Sequence, residues 1–181
     1  MGNAIVIYET KYGSTRQYAQ WIAGALNCEI YARTAVEPNE LNAFDTVIYG
    51  GPIYTGGVRG VKFIRYNFDI LRHKNLVLFT CGLSDPTDPD TIVNIYERLG
   101  TILTRQMIQH MKIFHLRGAI DYSKLNVAHR AIMAMVVRPV KKKYPASRTA
   151  EEQHMLDTYG KAVDFTDRNA VNPIVDYVRA L

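Results

Sequence analysis

Short apolar runs alternate along the chain with stretches whose apolar residues recur every three to four positions. Ala4–Tyr8 (AIVIY) reads as a buried strand, and Thr15–Leu26 as a helix carrying Tyr18, Ile22 and Ala25 on one face. Cys28–Ala32 is a second strand. Asp45–Gly50 is a third, which Gly50-Gly51-Pro52 is expected to end. A helix over Val58–Leu71 follows, then a strand over Asn75–Cys81 that stops at Gly82. Asp90–Gln109 reads as a longer helix with Ile92, Ile95, Tyr96, Leu99, Ile102 and Leu103 along its apolar face, and Met111–Ile120 as a fifth strand. Strands separated by helices in this way predict a parallel sheet covered on both faces. After Ile120 the regularity changes. Leu125–Val137 is helical and strongly apolar, with Pro139 expected to stop it. Tyr144 to Lys161 is polar and weakly patterned. A short final helix has Asn172 as its expected cap and Pro173 at its first position.

At 181 residues the chain is most economically a single domain, 1–181, able to bury a substantial core. No apolar run approaches the roughly 18 residues that would span a bilayer. The N-terminal stretch has neither the basic region nor the long apolar region of a signal peptide. Cys28 and Cys81 stand far apart, a pattern of reduced thiols in a cytoplasmic protein. His73, His110, His115, His129 and His154 show no metal-binding spacing, so no metal is expected. The formal charge of +5 is unevenly spread. Between Lys112 and Arg148 lie nine Lys and Arg residues against one acid, Asp121, whereas the rest is slightly acidic. A localised basic segment points to an anionic partner. It lacks interleaved aromatics and any known motif, which argues against nucleic acid.

Ligands of open parallel sheets bind beyond the carboxyl ends of the strands. Three loops leave those ends with distinctive chemistry. In Glu9–Thr15, Gly13 allows close approach or positive φ, and Thr10, Ser14 and Thr15 offer hydroxyls beside the N–H groups that open the first helix. Either a capped helix or a phosphate cradle accounts for this loop taken alone. Gly50–Gly57 puts four glycines and Pro52 around Tyr54, a backbone shaped to approach a flat ligand. Cys81–Pro86 again runs from a strand into glycine. Neither a G-x-G-x-x-G after the first strand nor a G-x-x-x-x-G-K-[ST] is present, so dinucleotide and P-loop sites fit poorly.

Over residues 3–120 the chain resembles the flavodoxin family, on Thr10, Gly13 and Thr15 of the phosphate-loop pattern with Ser14 between them. The resemblance implies an α/β/α sandwich, with a five-stranded parallel sheet in the order 2-1-3-4-5 and an extra helical segment after strand 5. It also implies FMN. Thr10, Lys11, Tyr12, Gly13, Ser14 and Thr15 would surround its phosphate, and Gly51, Pro52, Ile53, Tyr54 and Thr55 would flank the ring. Cys81, Gly82 and Leu83 would lie at the pyrimidine or N5 side. Tyr12 departs from the small polar residue usual at its position.

Two further departures bear on function. Flavodoxins are acidic and sandwich the flavin between aromatics. This chain is basic, and Gly82–Pro89 contains no aromatic residue, which leaves Tyr54 as the evident stacking side chain and one flavin face more open. From Asp121 to Lys161 the chain resembles the insertion of the menaquinone-dependent protoporphyrinogen dehydrogenase subgroup. That resemblance implies a flavoenzyme taking electrons from protoporphyrinogen IX or a related large organic donor to a quinone. The alternative is an electron carrier docking on a redox-protein partner. Arg117 and Lys141–Lys143 are candidates to attract porphyrin propionates, and no acid–base residue stands out. The 125–148 segment, apolar then basic, suits peripheral contact at the inner face of the cell membrane or packing on the sheet edge. A homo-oligomer is compatible with all of this.

Overall fold

The computed structural model describes residues 2–54 and 57–181. Its main sheet is built from β1 (Ala4–Tyr8), β2 (Glu29–Ala32), β3 (Thr46–Tyr54), β5 (Asn75–Gly82) and β6 (Met111–Arg117), all parallel in the spatial order β2-β1-β3-β5-β6. A two-residue strand, β4 (Gly57–Val58), folds back antiparallel onto the end of β3. Together they form the flavodoxin-like sandwich, with the strand order expected from the resemblance.

Alternate strand residues face opposite layers, as the two-residue period of a strand demands. Ile5, Ile7, Val47, Tyr49, Leu76 and Leu78 pack with Val61 and Ile64 of α2 (Val61–Tyr66) and with Ile95 and Leu99 of α4 (Pro89–Gly100). Val6, Ile48, Val77 and Phe79 face α1 (Ser14–Leu26) and α8 (Asn172–Arg179) on the other side. α1 buries Tyr18, Ala19, Ile22, Ala23 and Leu26; Ala25 is exposed, so the buried stripe lies one position round from the predicted one.

Several predicted elements are divided or extended. β3 runs on through Gly51 and Pro52 to Tyr54 instead of ending at Gly50. Pairing with β1 ends at Gly50, and on that side Pro52 only accepts, from the Arg59 N–H at 2.9 Å, so no ladder bond needs a Pro52 N–H. The helix expected over Val58–Leu71 is two, α2 and α3 (Phe68–Leu71), parted at Asn67. Asp90–Gln109 is likewise split. α4 ends at Gly100, and Thr104 caps a separate α5 (Arg105–His110) by accepting from the Met107 N–H. The expected fifth strand stops at Arg117. Gly118 redirects the chain, and β7 (Ala119–Asp121) pairs antiparallel with β8 (Ala162–Asp164) in a sheet of its own.

That small sheet closes the base of an excursion from Asp121 to Lys161. It contains α6 (Val127–Lys142) and α7 (Ala150–Thr158). Pro139 lies inside α6 and does not stop it. Pro139 and Met135 are on the exposed side, where water can take the carbonyl that the missing N–H leaves free. α7 occupies sequence expected to be unpatterned, and a capping box between Thr149 and Glu152 starts it. The last helix begins at Asn172 rather than being capped by it. Asp167 instead caps a 3₁₀ turn, Arg168–Val171, that leads into α8.

Candidate functional site

The loops after β1, β3 and β5 meet at one end of the sheet, and with the underside of α6 and α7 they enclose a cavity of about 410 Å³. Ten predicted residues line it: Thr10, Tyr12, Ser14, Thr15, Pro52, Ile53, Tyr54, Cys81, Gly82 and Leu83. Three do not. Lys11 turns to α6, Gly13 shapes the helix start, and Gly51 packs in the β3–β4 hairpin beneath Val58 and the Arg59 carbonyl. Thr55 lies outside the described residues.

Gly13 is the N-cap of α1, with φ of 103°, a conformation that strains any residue bearing a Cβ. No side chain caps this helix and no acid stands in its first turn. Its leading N–H groups therefore face the cavity end without an internal counter-charge. Thr10 Oγ1 accepts from the Gly13 N–H at 3.1 Å, and Ser14 Oγ accepts from the Ala119 N–H at 3.0 Å. Each hydroxyl thus keeps its own proton to donate. A Cβ on Gly118 would stand 2.9 Å from Cys81 Sγ and 3.4 Å from Ser14 Cβ, so glycine there holds the cradle open. The hydroxyls, orphan N–H groups and dipole together suit a phosphate.

Thr15 and Cys81 are both buried at the cavity end. Burial pushes the Cys81 thiol up to about 12, which makes this cysteine part of the floor and not a nucleophile. The Gly82 and Leu83 peptides are held firmly. Gly82 accepts from the Gly118 N–H at 2.6 Å, and Leu83 accepts from Arg117 at 3.3 Å.

Tyr12 lines the cavity and also reaches up to the roof. Its hydroxyl meets His129 Nδ1 on α6, and Lys11 Nζ donates to His129 Nε2 at 2.9 Å. An accepting Nε2 requires the proton on Nδ1, so the imidazole is neutral and points its N–H at Tyr12. Burial, then the nearby Lys11 and Arg59 charges, lower the His129 pKa. Tyr12 and Tyr54 make an edge contact with ring centres 6.4 Å apart, and burial pushes the Tyr54 phenol up to about 12. Ile132, Met133 and Val136 of α6 and Met155 of α7 complete the roof.

Beyond the Leu83 loop the wall turns polar. Glu151 accepts from Ser84 Oγ and Asn94 Nδ2, both at 3.1 Å. His115 Nδ1 lies 2.8 Å from Thr80 Oγ1, and burial lowers its pKa. Arg98 donates to the Tyr54 carbonyl at 3.3 Å. Sequence reasoning missed all of these, along with His129. The Thr149–Glu152 capping box could have revealed α7, but the pairing of Glu151 across 67 and 57 residues is purely tertiary.

The basic cluster is less free than its sequence suggests. Arg117 lies 3.9 Å over the Phe165 ring, 3.6 Å from Asp85 and within hydrogen-bond reach of His154, and it does not line the cavity. Lys143 pairs with Glu152 at 2.6 Å, Lys141 covers Tyr159, and Arg148 donates to the Lys141 and Lys143 carbonyls. The outward face of α6 exposes Val127 (83%) and Met135 (69%) beside Arg138 and Lys142. Among the described residues no cluster of His, Cys, Asp or Glu could hold a metal, and no helix is long and apolar enough to cross a membrane.

A protein-family model described as Flavodoxin domain matches residues 5–147. No curated protein matches the chain. Among solved structures it is similar to a flavodoxin, WrbA-like protein from Agrobacterium tumefaciens. Identity there is 23%, over 55% of this chain and 74% of that one, with a TM-score of 0.37. It is also similar to the two-electron reduced flavodoxin of Megasphaera elsdenii, at 14% identity over 62% and 82% of the two chains with a TM-score of 0.42. A third is the apo form of an NADH:FMN oxidoreductase (EMOB), at 13% identity over 65% and 75% with a TM-score of 0.43.

Proposed function

The chain belongs to the flavodoxin-domain family, and from that premise we infer that it is an oxidoreductase in which a large organic donor reduces the flavin and a quinone reoxidises it. Its cofactor is FMN. The donor class is protoporphyrinogen IX or a related tetrapyrrole.

When bound, FMN would supply the redox chemistry. The protein supplies binding, orientation and exclusion of water. Thr10, Ser14 and the first N–H groups of α1 hold the phosphate. Pro52, Ile53 and Tyr54 would hold the ring, and the Gly82 and Leu83 N–H groups would donate to it as negative charge develops. Arg98 is the cation on the cavity wall and the partner assigned to a donor carboxylate, in place of Arg117.

One observation carries the preference for an enzyme. The side of the cavity left bare of aromatics by the Gly82–Pro89 loop is bordered by Ile132, Met133, Val136 and Met155, so the site is a half-open apolar cleft under a helical roof and not a bare edge. A roofed cleft suits a bound substrate, whereas a carrier needs an edge its partner can reach. The exposed Val127 and Met135 with Arg138 and Lys142 give α6 an outward face suited to an anionic membrane surface, the source of a quinone.

The test is turnover by purified holo-protein with protoporphyrinogen IX and a menaquinone analogue. The expected result is quinone-dependent porphyrin formation. Absence of turnover together with fast one-electron exchange with a ferredoxin would establish the carrier reading instead.

A further inference from the structure

Among the described residues Glu151 is the only acid lining the cavity, and no Lys or Arg pairs with it. Ser84 Oγ and Asn94 Nδ2 each donate to a different carboxylate oxygen, which fixes its plane. Every oxygen keeps a lone pair. The other charged or titratable groups on that wall are Arg98 of α4 and His115 of β6, with the His115 Nδ1 engaged by Thr80. On its own helix, Glu152 pairs with Lys143 and His154 turns to Arg117.

An acceptor-only group, oriented by two neutral donors under an apolar roof, calls for a ligand that brings a donor. We propose that Glu151 is the catalytic base of the reductive half-reaction and accepts the proton of an N–H group on the organic donor. This rests on the oxidoreductase reading above. Oxidation of a C–H/N–H pair breaks the C–H bond, sending hydride to FMN, and breaks the N–H bond, sending the proton to a Glu151 carboxylate oxygen. The product keeps the electron pair of the N–H bond as a new C=N bond. Glu151 then returns its proton to solvent.

Glu151→Gln separates this role from a structural tether, since the amide oxygen can still accept from Ser84 or Asn94. Anaerobic mixing of the holo-variant with protoporphyrinogen should bleach the flavin at least about 100-fold more slowly than the parent. The melting temperature and FMN affinity should stay unchanged. Bleaching at the parent rate overturns the proposal, as does equal loss of rate and FMN affinity. A second arm needs no turnover. Carbazole, an N–H heteroaromatic, should bind the holo-protein about tenfold more tightly than its oxygen isostere dibenzofuran, read by flavin absorbance, and Glu151→Met should close that gap. If the parent fails to oxidise protoporphyrinogen but prefers carbazole, the donor class falls and Glu151 stands as the acceptor of an N–H group, its role as base overturned for that donor. Equal binding of the two probes by the parent overturns the assignment whatever the turnover.

Discussion

The floor and the roof of the cavity are held by different forces. The floor is the sheet end, where Thr15, Thr80 and Cys81 are buried and the strands beneath them pack Leu78, Phe79 and Ile48 at zero exposure. The roof is α6 and α7, whose first contacts with the floor are polar and local: Tyr12 and Lys11 on His129, and Ser84 and Asn94 on Glu151. α6 buries only Val137 and Val140. Apolar burial of the floor is worth kilocalories per side chain, whereas each polar latch nets about 1 kcal/mol. A site built this way can open its roof without loosening its floor, as the proposed entry of a large donor would require.

The sharpest contrast lies in core truncation. Leu78→Ala removes a fully buried side chain from the middle of β5 and should destabilise the protein by about 3 kcal/mol, with a fall in melting temperature of roughly 6–12 °C. Met133→Ala in the roof should change global stability by under about 1 kcal/mol, since Met133 is only partly buried. Comparable losses in urea unfolding would mean that roof and floor form one cooperative core. Next in size is the phosphate cradle. Thr10→Ala combined with Ser14→Ala should raise the FMN dissociation constant about 100-fold, through two charge-assisted hydrogen bonds, and leave riboflavin binding within about threefold. Equal losses for the two ligands would place the phosphate elsewhere.

The same division governs what the amino-acid pattern reveals. Floor strands are runs such as Ala4-Ile5-Val6-Ile7, whose apolar character is a direct record of burial on both faces, and the loop glycines record where backbone must come close. β3 was the exception, because Pro52 reads as a terminator unless its neighbour strand is known to have ended. The roof leaves a weaker trace. α7 has no apolar stripe to match a helical period, and its signature is only the Thr149–Glu152 capping box. Pro139 reads as a stop because the pattern cannot show that its side of α6 faces water. Tyr12 is the most instructive residue. It departs from the usual phosphate-loop residue in sequence, and only the approach of His129, 117 residues on, shows that its hydroxyl latches the roof.

A smaller effect should appear on cutting that contact. Tyr12→Phe removes one hydroxyl and should cost the closed roof about 1 kcal/mol, which speeds hydrogen exchange in the first turns of α6 about fivefold. Exchange in β5 should be unchanged. If β5 amides accelerate as well, the latch belongs to the global fold and the comparison between roof and floor fails.

The subtlest prediction concerns pH. His129 is neutral in the latch, where burial and the Lys11 and Arg59 charges lower its pKa below the usual histidine value of about 6.5. Tyr12 and Tyr54 also face it, and Glu9 is occupied by Arg59 at 3.3 Å. A lowered histidine pKa means that the open state binds more protons than the closed one. The latch therefore contributes fully above about pH 6.5 and weakens as pH falls through the lowered value. Protonation also removes the Nε2 lone pair that accepts from Lys11 and sets two cations 2.9 Å apart. Once intrinsic exchange rates are corrected for, protection of the α6 amides should decline between pH 7 and pH 5 in the parent. In His129→Gln, which can still bond both partners but cannot be charged, it should stay flat. A parallel decline in the variant would show that another group, with His115 the nearest alternative on the cavity wall, carries the pH response.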